Sequence, residues 1–453
     1  MTRTGSAHTH IRGRFDPVAV AAAVAGSGLL HDYVVYERAG RWLIGGNPTG
    51  AVTVGPGWLY STVGGEFTES WTGSPWPRAH AALRRCPRPN WRALGWASFE
   101  LAHPNSADTA EVLAHVMVPG IEIEVTADAV RVHTHDGSPE PALTDLLADL
   151  PDGPTTPIAV DALDRDYLHR VERAVARIRG GELEKVILSR TVDVPFPLDM
   201  PATYVSGRRA NTPARSFLLD LGGWQAAGFS PETVLEADAS GRAATQPLAG
   251  TRARTGAHRS DEALRTELLS DPKEVFEHAI SVKLAFEEMA GVGRPGATRV
   301  SEFLSVKSRG SVQHLGSRVE TSLAHSRTAW DALTMVFPAI TASGIPKAAA
   351  CAVIDALEPE PRGLYSGAVL LADSTGALDA ALVLRAVYQR AGRAWLRAGA
   401  GIVAASTPER EHEETREKLG SVAPYLVPAQ PPRAPRSPEE DGGRSPVAAP
   451  TAR

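Results

Sequence analysis

Short strand-forming runs broken by turn residues constrain this chain more than any other feature. Tyr33-Val-Val-Tyr-Glu, Arg41-Trp-Leu-Ile-Gly and Ala51-Val-Thr-Val-Gly follow one another with Gly, Asn and Pro between them. Such runs, bounded by such residues, read as strands joined by turns. Trp58-Leu-Tyr-Ser-Thr, Leu94-Gly-Trp-Ala-Ser-Phe-Glu and Ile121-Glu-Ile-Glu-Val extend the series. From Asp166 the period changes: Leu168, Val171, Val175 and Ile178 recur at helical spacing, and Gly180-Gly181 supplies a stop. Lys185-Val-Ile-Leu-Ser-Arg-Thr-Val and Phe217-Leu-Leu-Asp-Leu return to strand character. Leu378 to Gln389 and Ala394 to Val403 read as two strands joined by Ala391-Gly392-Arg393. Helices are expected from about Pro272 to Met289, with Asp271 as N-cap, and from about Pro408 to Leu419. Strand groups alternating with helices in this way predict a mixed sheet rather than a regular parallel barrel.

Composition narrows the function classes. At 453 residues and 43% apolar, the chain can bury a substantial core. A net charge of -5 and the lack of a long basic run argue against nucleic acid. Cys86 and Cys351 stand far apart, without zinc spacing, as expected of a reducing cytoplasm. No apolar run reaches membrane-spanning length, and the polar stretch Met1 to Arg14 lacks a signal core. Walker, HExxH, GxSxG and dinucleotide motifs are absent. The expected organisation is a flexible N-terminus (1–14), a β-rich half (15–160), a catalytic half (161–427) and a disordered tail (428–453) rich in proline and charge.

Two glutamate pairs carry the strongest chemical signal. Glu274 and Glu277 are three residues apart on one predicted helix, and Glu411 and Glu414 are three apart on the other. Residues at that spacing share a helix face. Two such helices converging would form an oxygen-rich cage suited to magnesium, although acidic helix faces are more often simply solvated. Lys185 opens an apolar strand; buried there it could serve as a base, while the commoner outcome is a strand-end lysine reaching water. Glu232, after Ser230-Pro231, could be a general acid or a turn cap. Pro247-Leu-Ala-Gly-Thr-Arg252 is a loop whose glycine lets backbone approach an anion. His314 sits in a Gly/Ser-bounded strand, where a lone histidine is usually a core residue. Tyr365 and Arg385 are candidates for a substrate carboxylate.

These elements occur in one order, and that order resembles the chorismate-utilising enzymes: anthranilate synthase large subunits, isochorismate synthases and salicylate synthases. The likeness runs from Lys185-Val-Ile-Leu-Ser-Arg190 through Gly228-Phe-Ser-Pro-Glu232, Pro247-Leu-Ala-Gly-Thr-Arg252, Lys273-Glu-Val-Phe-Glu-His278 and Thr341-Ala-Ser-Gly-Ile-Pro-Lys347. It continues through Arg362-Gly-Leu-Tyr-Ser-Gly367 and Ala398-Gly-Ala-Gly401 to Glu414-Thr-Arg-Glu-Lys418. Arg309-Gly-Ser-Val-Gln-His-Leu-Gly-Ser317 and Leu384-Arg-Ala-Val-Tyr-Gln389 look like the salicylate synthases of siderophore pathways.

The resemblance implies an α+β fold with a large mixed or antiparallel β-sheet sandwich core and flanking helices. It implies a cytoplasmic monomer that converts chorismate to isochorismate and then to salicylate and pyruvate. Glu277 and Glu414 would hold magnesium, with Glu274 and Glu411 close by. Lys185 would activate water, Glu232 would protonate the leaving hydroxyl, and His314 would sit near the elimination step. Tyr365 and Arg385 would hold the enolpyruvyl carboxylate, while Gly250, Thr251, Gly399, Gly401 and Lys418 would line the site. Ammonia-using relatives carry glutamine at the position of Lys185 and depend on an amidotransferase, and nothing in this chain looks like one. The sequence departs from the family pattern at Lys307-Ser308, where Arg-Glu is expected, and at Gln246, where an acid is frequent. The rival within the family is an isochorismate synthase that stops before pyruvate loss.

Overall fold

The computed structural model describes residues 7–103, 111–135, 153–254, 256–310 and 312–429. Every pairing among the described strands is antiparallel. The sheet is therefore antiparallel, and it folds into two layers about one long strand pair. Arg41–Gly55 pairs along its length with Ala114–Val125, shifting register near Pro48. The early part of Arg41–Gly55 also pairs with Tyr33–Arg38, and the later part with Trp58–Ser61. Ala114–Val125 likewise meets Arg92–Ala97 at one end and Ala129–Thr134 at the other.

From Tyr33–Arg38 one layer runs through Arg215–Leu221, Trp224–Ser230, Ala386–Arg390 and Arg393–Ile402 to Lys185–Val194 and the short Gly344–Ile345. From Arg92–Ala97 the other runs through Ala368–Asp373, Leu378–Leu382, Thr233–Ala237 and Arg242–Thr245 to Val312–Ser322, which also binds Leu248–Ala253 and Arg299–Arg309. Alternating side chains of both layers, among them Tyr36, Trp96, Phe217, Trp224, Val369 and Tyr388, fill the space between them. Helices Pro17–Gly26 and Met200–Ala210 cover one outer face, and Trp76–Leu83, Pro272–Val292 and Ala329–Val336 the other. Arg165–Arg179 and Lys347–Leu357 pack around the Lys185 strand.

The two halves expected from the sequence interleave, because N-terminal and C-terminal strands pair within both layers. The predicted flexible N-terminus needs correction: Ala7–Arg12 pairs with Ala129–Thr134 as an edge strand. The expected tail lies outside the described residues from 430 onward. Its first two residues are tied down, Pro428 bridging Leu198 and the Ala429 N–H reaching the Pro197 carbonyl at 2.8 Å. The predicted single strand Leu378 to Gln389 is two, Leu378–Leu382 and Ala386–Arg390, one in each layer. The chain changes layer between them, and Arg385 there adopts a left-handed φ of 52°. Apolar residues continue through the break, so nothing in the hydropathy pattern marks it. No helix among the described residues is long and apolar enough to cross a membrane.

Candidate active site

One pocket gathers most of the residues singled out from the sequence. It is lined by Lys185 and Ile187, by Pro231 and Glu232, by Leu248 to Thr251, and by His314 and Thr341. Tyr365, Arg385, Arg397, Gly399, Gly401, Lys418 and the two glutamates Glu277 and Glu414 complete its polar wall. Glu274 and Glu411 do not line it but lie buried immediately behind it.

The two glutamate helices converge at this pocket. Asp271 caps Pro272–Val292 by accepting from the Lys273 and Glu274 N–H groups, and Pro272 fits the first turn. The other helix, Pro408–Leu419, begins with Pro408 and carries Glu409 and Glu411 in its first turn, where the helix dipole favours acids. Lys273 joins the two, its Nζ lying 2.9 Å from Glu411 Oε1 and 3.7 Å from Glu274 Oε1. Lys185 Nζ lies 3.0 Å from Glu277 Oε1, and Lys418 Nζ 2.7 Å from Glu414 Oε1. Arg252 Nη1 lies 3.1 Å from Glu274 Oε1.

Each carboxylate is thus held by a cation of the chain rather than pressed against another carboxylate. Among the described residues no three His, Cys, Asp or Glu side chains gather on one point. The helices converge as expected, and basic side chains are interleaved between the acids. Burial and the Glu414 charge raise the pKa of both Glu274 and Glu411. Burial opposes ionisation of Glu414 too, but Lys418 and Lys273 outweigh it and hold that carboxyl low. Glu274 Oε2 and Glu411 Oε2 are buried without a hydrogen-bond partner. Two orphaned carboxylate oxygens are costly in a dry site, and a hard cation would satisfy them.

Lys185 is 0% exposed, which overturns the commoner expectation of a strand end reaching water. Its Nζ donates to Ser281 Oγ at 3.0 Å in addition to meeting Glu277. The glycines have steric reasons. A Cβ on Gly401 would stand 2.1 Å from Glu277 Oε1, and one on Gly399 would stand 2.8 Å from the Tyr365 hydroxyl. Gly250 has φ +78°, and its missing Cβ leaves room for Glu274 Oε2 at 3.0 Å.

Glu232 is 2% exposed, and burial pushes its carboxyl up to about 8 despite a hydrogen bond from Thr341 and the charge of Lys185. Its Oε2 has no partner. A carboxylic acid that keeps its proton at neutral pH, with one oxygen unengaged, can donate that proton. Arg385 is held by His314, its Nη2 lying 3.1 Å from His314 Nε2, while its Nη1 is buried and unpartnered. Burial pushes this guanidinium down to about 10, which marks how poorly its charge is compensated. An unpaired buried guanidinium is a receptor for a carboxylate. Tyr365 lies beside it, with the Arg362 and Arg397 guanidinium carbons each 5.6 Å from the ring centroid. Lys418 also donates to the Gly399 carbonyl at 2.8 Å, and Thr251 Oγ1 lies 3.1 Å from His314 Nδ1.

Reading the sequence did not single out Ser281, Lys273, Thr341 or Arg397. Two had a signal. Ser281 lies one helical turn after Glu277, and Arg397 shares a strand face with Gly399 and Gly401. Lys273 and Thr341 had none beyond their place in motifs, since their roles arise from elements distant in sequence.

The profile of the family described as "chorismate binding enzyme" matches residues 34–424. A salicylate synthase from Mycolicibacterium paratuberculosis is 43% identical over 425 residues, covering 92% of this chain and 94% of that one. The anthranilate synthase component 1 of Thermus thermophilus is 41% identical over 252 residues, 56% of this chain and 54% of its own. Among solved structures, the menaquinone-specific isochorismate synthase of Escherichia coli superposes with a TM-score of 0.72 at 21% identity, covering 93% of this chain and 95% of that one. Anthranilate synthase component I from Streptococcus pneumoniae gives 0.69 at 26% identity, covering 85% and 92%.

Proposed function

Because the chain belongs to the chorismate binding enzymes, we propose that its pocket converts chorismate to isochorismate and then to salicylate and pyruvate. The observation that carries this reading is the pairing of a fully buried amine, Lys185, with a buried, proton-retaining acid, Glu232, in one pocket. Near-full-length likeness to a salicylate synthase supports it. Lys185 takes a proton from water as the oxygen attacks ring carbon 2. Glu232 gives a proton to the hydroxyl leaving carbon 4, and the ring double bonds shift between them. Water enters and water leaves, so isochorismate is an isomer of chorismate. Its further loss of pyruvate is an intramolecular rearrangement in which a ring hydrogen passes to the enolpyruvyl group as the C–O bond breaks. For that step the protein chiefly fixes the conformer.

Arg385 and Tyr365 receive the enolpyruvyl carboxylate in this reading, since the Arg385 Nη1 group has no partner of its own. Gly250, Thr251, Gly399, Gly401 and Lys418 shape the wall around the ring. Glu277 and Glu414 would hold magnesium, with Glu274 and Glu411 behind them, and the buried, unpartnered oxygens of the latter two support a cation there. Bound magnesium would neutralise and orient the ring carboxylate. The reaction needs no amidotransferase, because water rather than ammonia is the nucleophile. Free Cys86 and Cys351 accord with a cytoplasmic site, and salicylate would serve siderophore or related biosynthesis.

The test is incubation of the purified protein with chorismate and magnesium, with products separated and identified by mass. Salicylate and pyruvate in equal amounts are expected. Isochorismate alone would reduce the activity to the first step, and anthranilate formed from ammonia in preference to both would refute the role of Lys185.

A further inference from the structure

The hydrogen-bond partners of His314 determine its protonation state by elimination. It lies on strand Val312–Ser322, 4% exposed, opposite Thr251 in the adjoining strand. Its Nε2 is 3.1 Å from Arg385 Nη2, and its Nδ1 is 3.1 Å from Thr251 Oγ1. A guanidinium has donors only, so Nε2 must be the acceptor in that contact. The ring proton then belongs on Nδ1, where the Thr251 hydroxyl and the Gly250 carbonyl can accept it. Both nitrogens are therefore committed to protein groups. The charged groups facing the ring are Arg385, Lys418 and Glu414; the two cations add to burial in keeping it neutral, and the one carboxylate opposes them.

Resting on the reading above, we propose that His314 moves no proton in the reaction. It is a positioning residue: as the neutral Nδ1–H tautomer it anchors Arg385 Nη2, so that the unpartnered Nη1 is presented to a substrate carboxylate. Two features of Arg385 make such an anchor necessary. Its backbone is in the left-handed region at φ 52°, in the short link where the chain changes layer. Among the described residues no other hydrogen bond or ion pair holds the guanidinium, whose Nη1 is unpartnered. Losing the histidine would leave that long side chain free to leave the pocket.

Two measurements test this. Nitrogen-15 NMR of histidine-labelled protein, with the His314 signal assigned by its loss in His314→Gln, reads the tautomer directly and without substrate. One protonated Nδ1 and one bare Nε2, unchanged from pH 6 to pH 9, are expected. An imidazolium, or the proton on Nε2, would overturn the proposal, and this result stands even if the wild type proves not to turn over chorismate. Kinetically, glutamine offers Arg385 an amide oxygen as acceptor and leucine offers nothing. His314→Leu should lower kcat/KM by about tenfold to a hundredfold, chiefly through KM, as expected for a lost hydrogen bond to a charged group. His314→Gln should recover most of that loss. If glutamine is as damaging as leucine and both act on kcat, the ring is moving a proton and the positioning role is wrong.

Discussion

Replacing Gly401 by alanine exchanges one hydrogen for a methyl group, yet it should disable the site while sparing the fold. The new Cβ would stand 2.1 Å from Glu277 Oε1 and 2.9 Å from its carboxyl carbon. Since non-bonded contacts rarely close below about 3 Å, the carboxylate must retreat by about 1 Å. It can do so, because the obstacle is the end of a flexible side chain and not backbone. The cost therefore falls on geometry rather than on stability. Glu277 would lose its 3.0 Å contact with Lys185 and its proposed place at the metal. Misplacement on this scale costs about a hundredfold in rate. The assay is steady-state turnover of chorismate against magnesium concentration, with thermal unfolding run in parallel. We expect kcat down about a hundredfold, a raised magnesium requirement and a Tm within about 2 °C of wild type, the shift of roughly 1–2 kcal/mol in a chain of 453 residues. Activity within threefold of wild type would mean that the position of Glu277 does not matter, and the argument from the missing Cβ would fail.

The other expectations follow from the same pocket. Glu277→Gln or Glu414→Gln should abolish magnesium-dependent turnover with little change in far-UV circular dichroism; unchanged magnesium dependence in both would remove them from the ligand set. Turnover of chorismate should decline as pH rises through about 8, where Glu232 loses the proton it must donate, and a flat profile to pH 9.5 would exclude it as the acid. The same raised pKa makes the folded state hold a proton that the unfolded state releases between about 4.5 and 8, so its contribution to stability is lost across that window. Glu232→Gln should consequently be more stable than wild type at pH 9, on the order of 5 kcal/mol, and no more stable at pH 4, as urea titrations would record. Lys185→Ala should slow chorismate turnover by about a hundred- to ten-thousandfold but spare more of the pyruvate loss from supplied isochorismate, because water attack is then already complete. Equal losses on both substrates would mean that Lys185 positions the ring rather than acting as a base.

The interleaving of acids and bases gives the pocket its reason for being poised rather than collapsed. A buried carboxylate without a counter-charge takes up a proton, and a buried lysine without one gives its proton away. Here Lys273 and Lys418 hold Glu414 ionised despite its burial, while Glu411, which faces the Glu414 charge, is pushed up. Glu232 is treated differently. The Thr341 hydroxyl, the Leu248 N–H and the charges of Lys185 and Lys418 are together too little to offset burial, and it therefore retains a proton. One pocket thus holds a carboxylate kept ionised, Glu414, and a carboxylic acid kept neutral for donation, Glu232, and the lysine ammonium in direct contact with Glu414 helps separate the two.

Much of this was legible in the sequence because the signals were local. Helix faces are periodic, so Glu274 with Glu277 and Glu411 with Glu414 announced two shared faces, and Asp271-Pro272 announced where one helix begins. Turn residues likewise exposed the strands. What stayed hidden was set by contacts between distant segments. Burial of Lys185 depends on Ser281 and Glu277, both on a helix about ninety residues further on, and no window around Lys185 contains that information. The exchange of layers at Arg385 is hidden for the opposite reason, since a buried strand on either side of a break carries the same apolar residues. Lys273 illustrates both limits together. Read along its helix it is one more charge on an acidic face, the arrangement that usually means solvent. Only when the second helix lies against the first does its ammonium fall between Glu274 and Glu411, with burial working against its charge and the surrounding glutamates more than restoring it. The spacing of the glutamates points to two converging faces; that lysines sit between them is a property of the assembled fold.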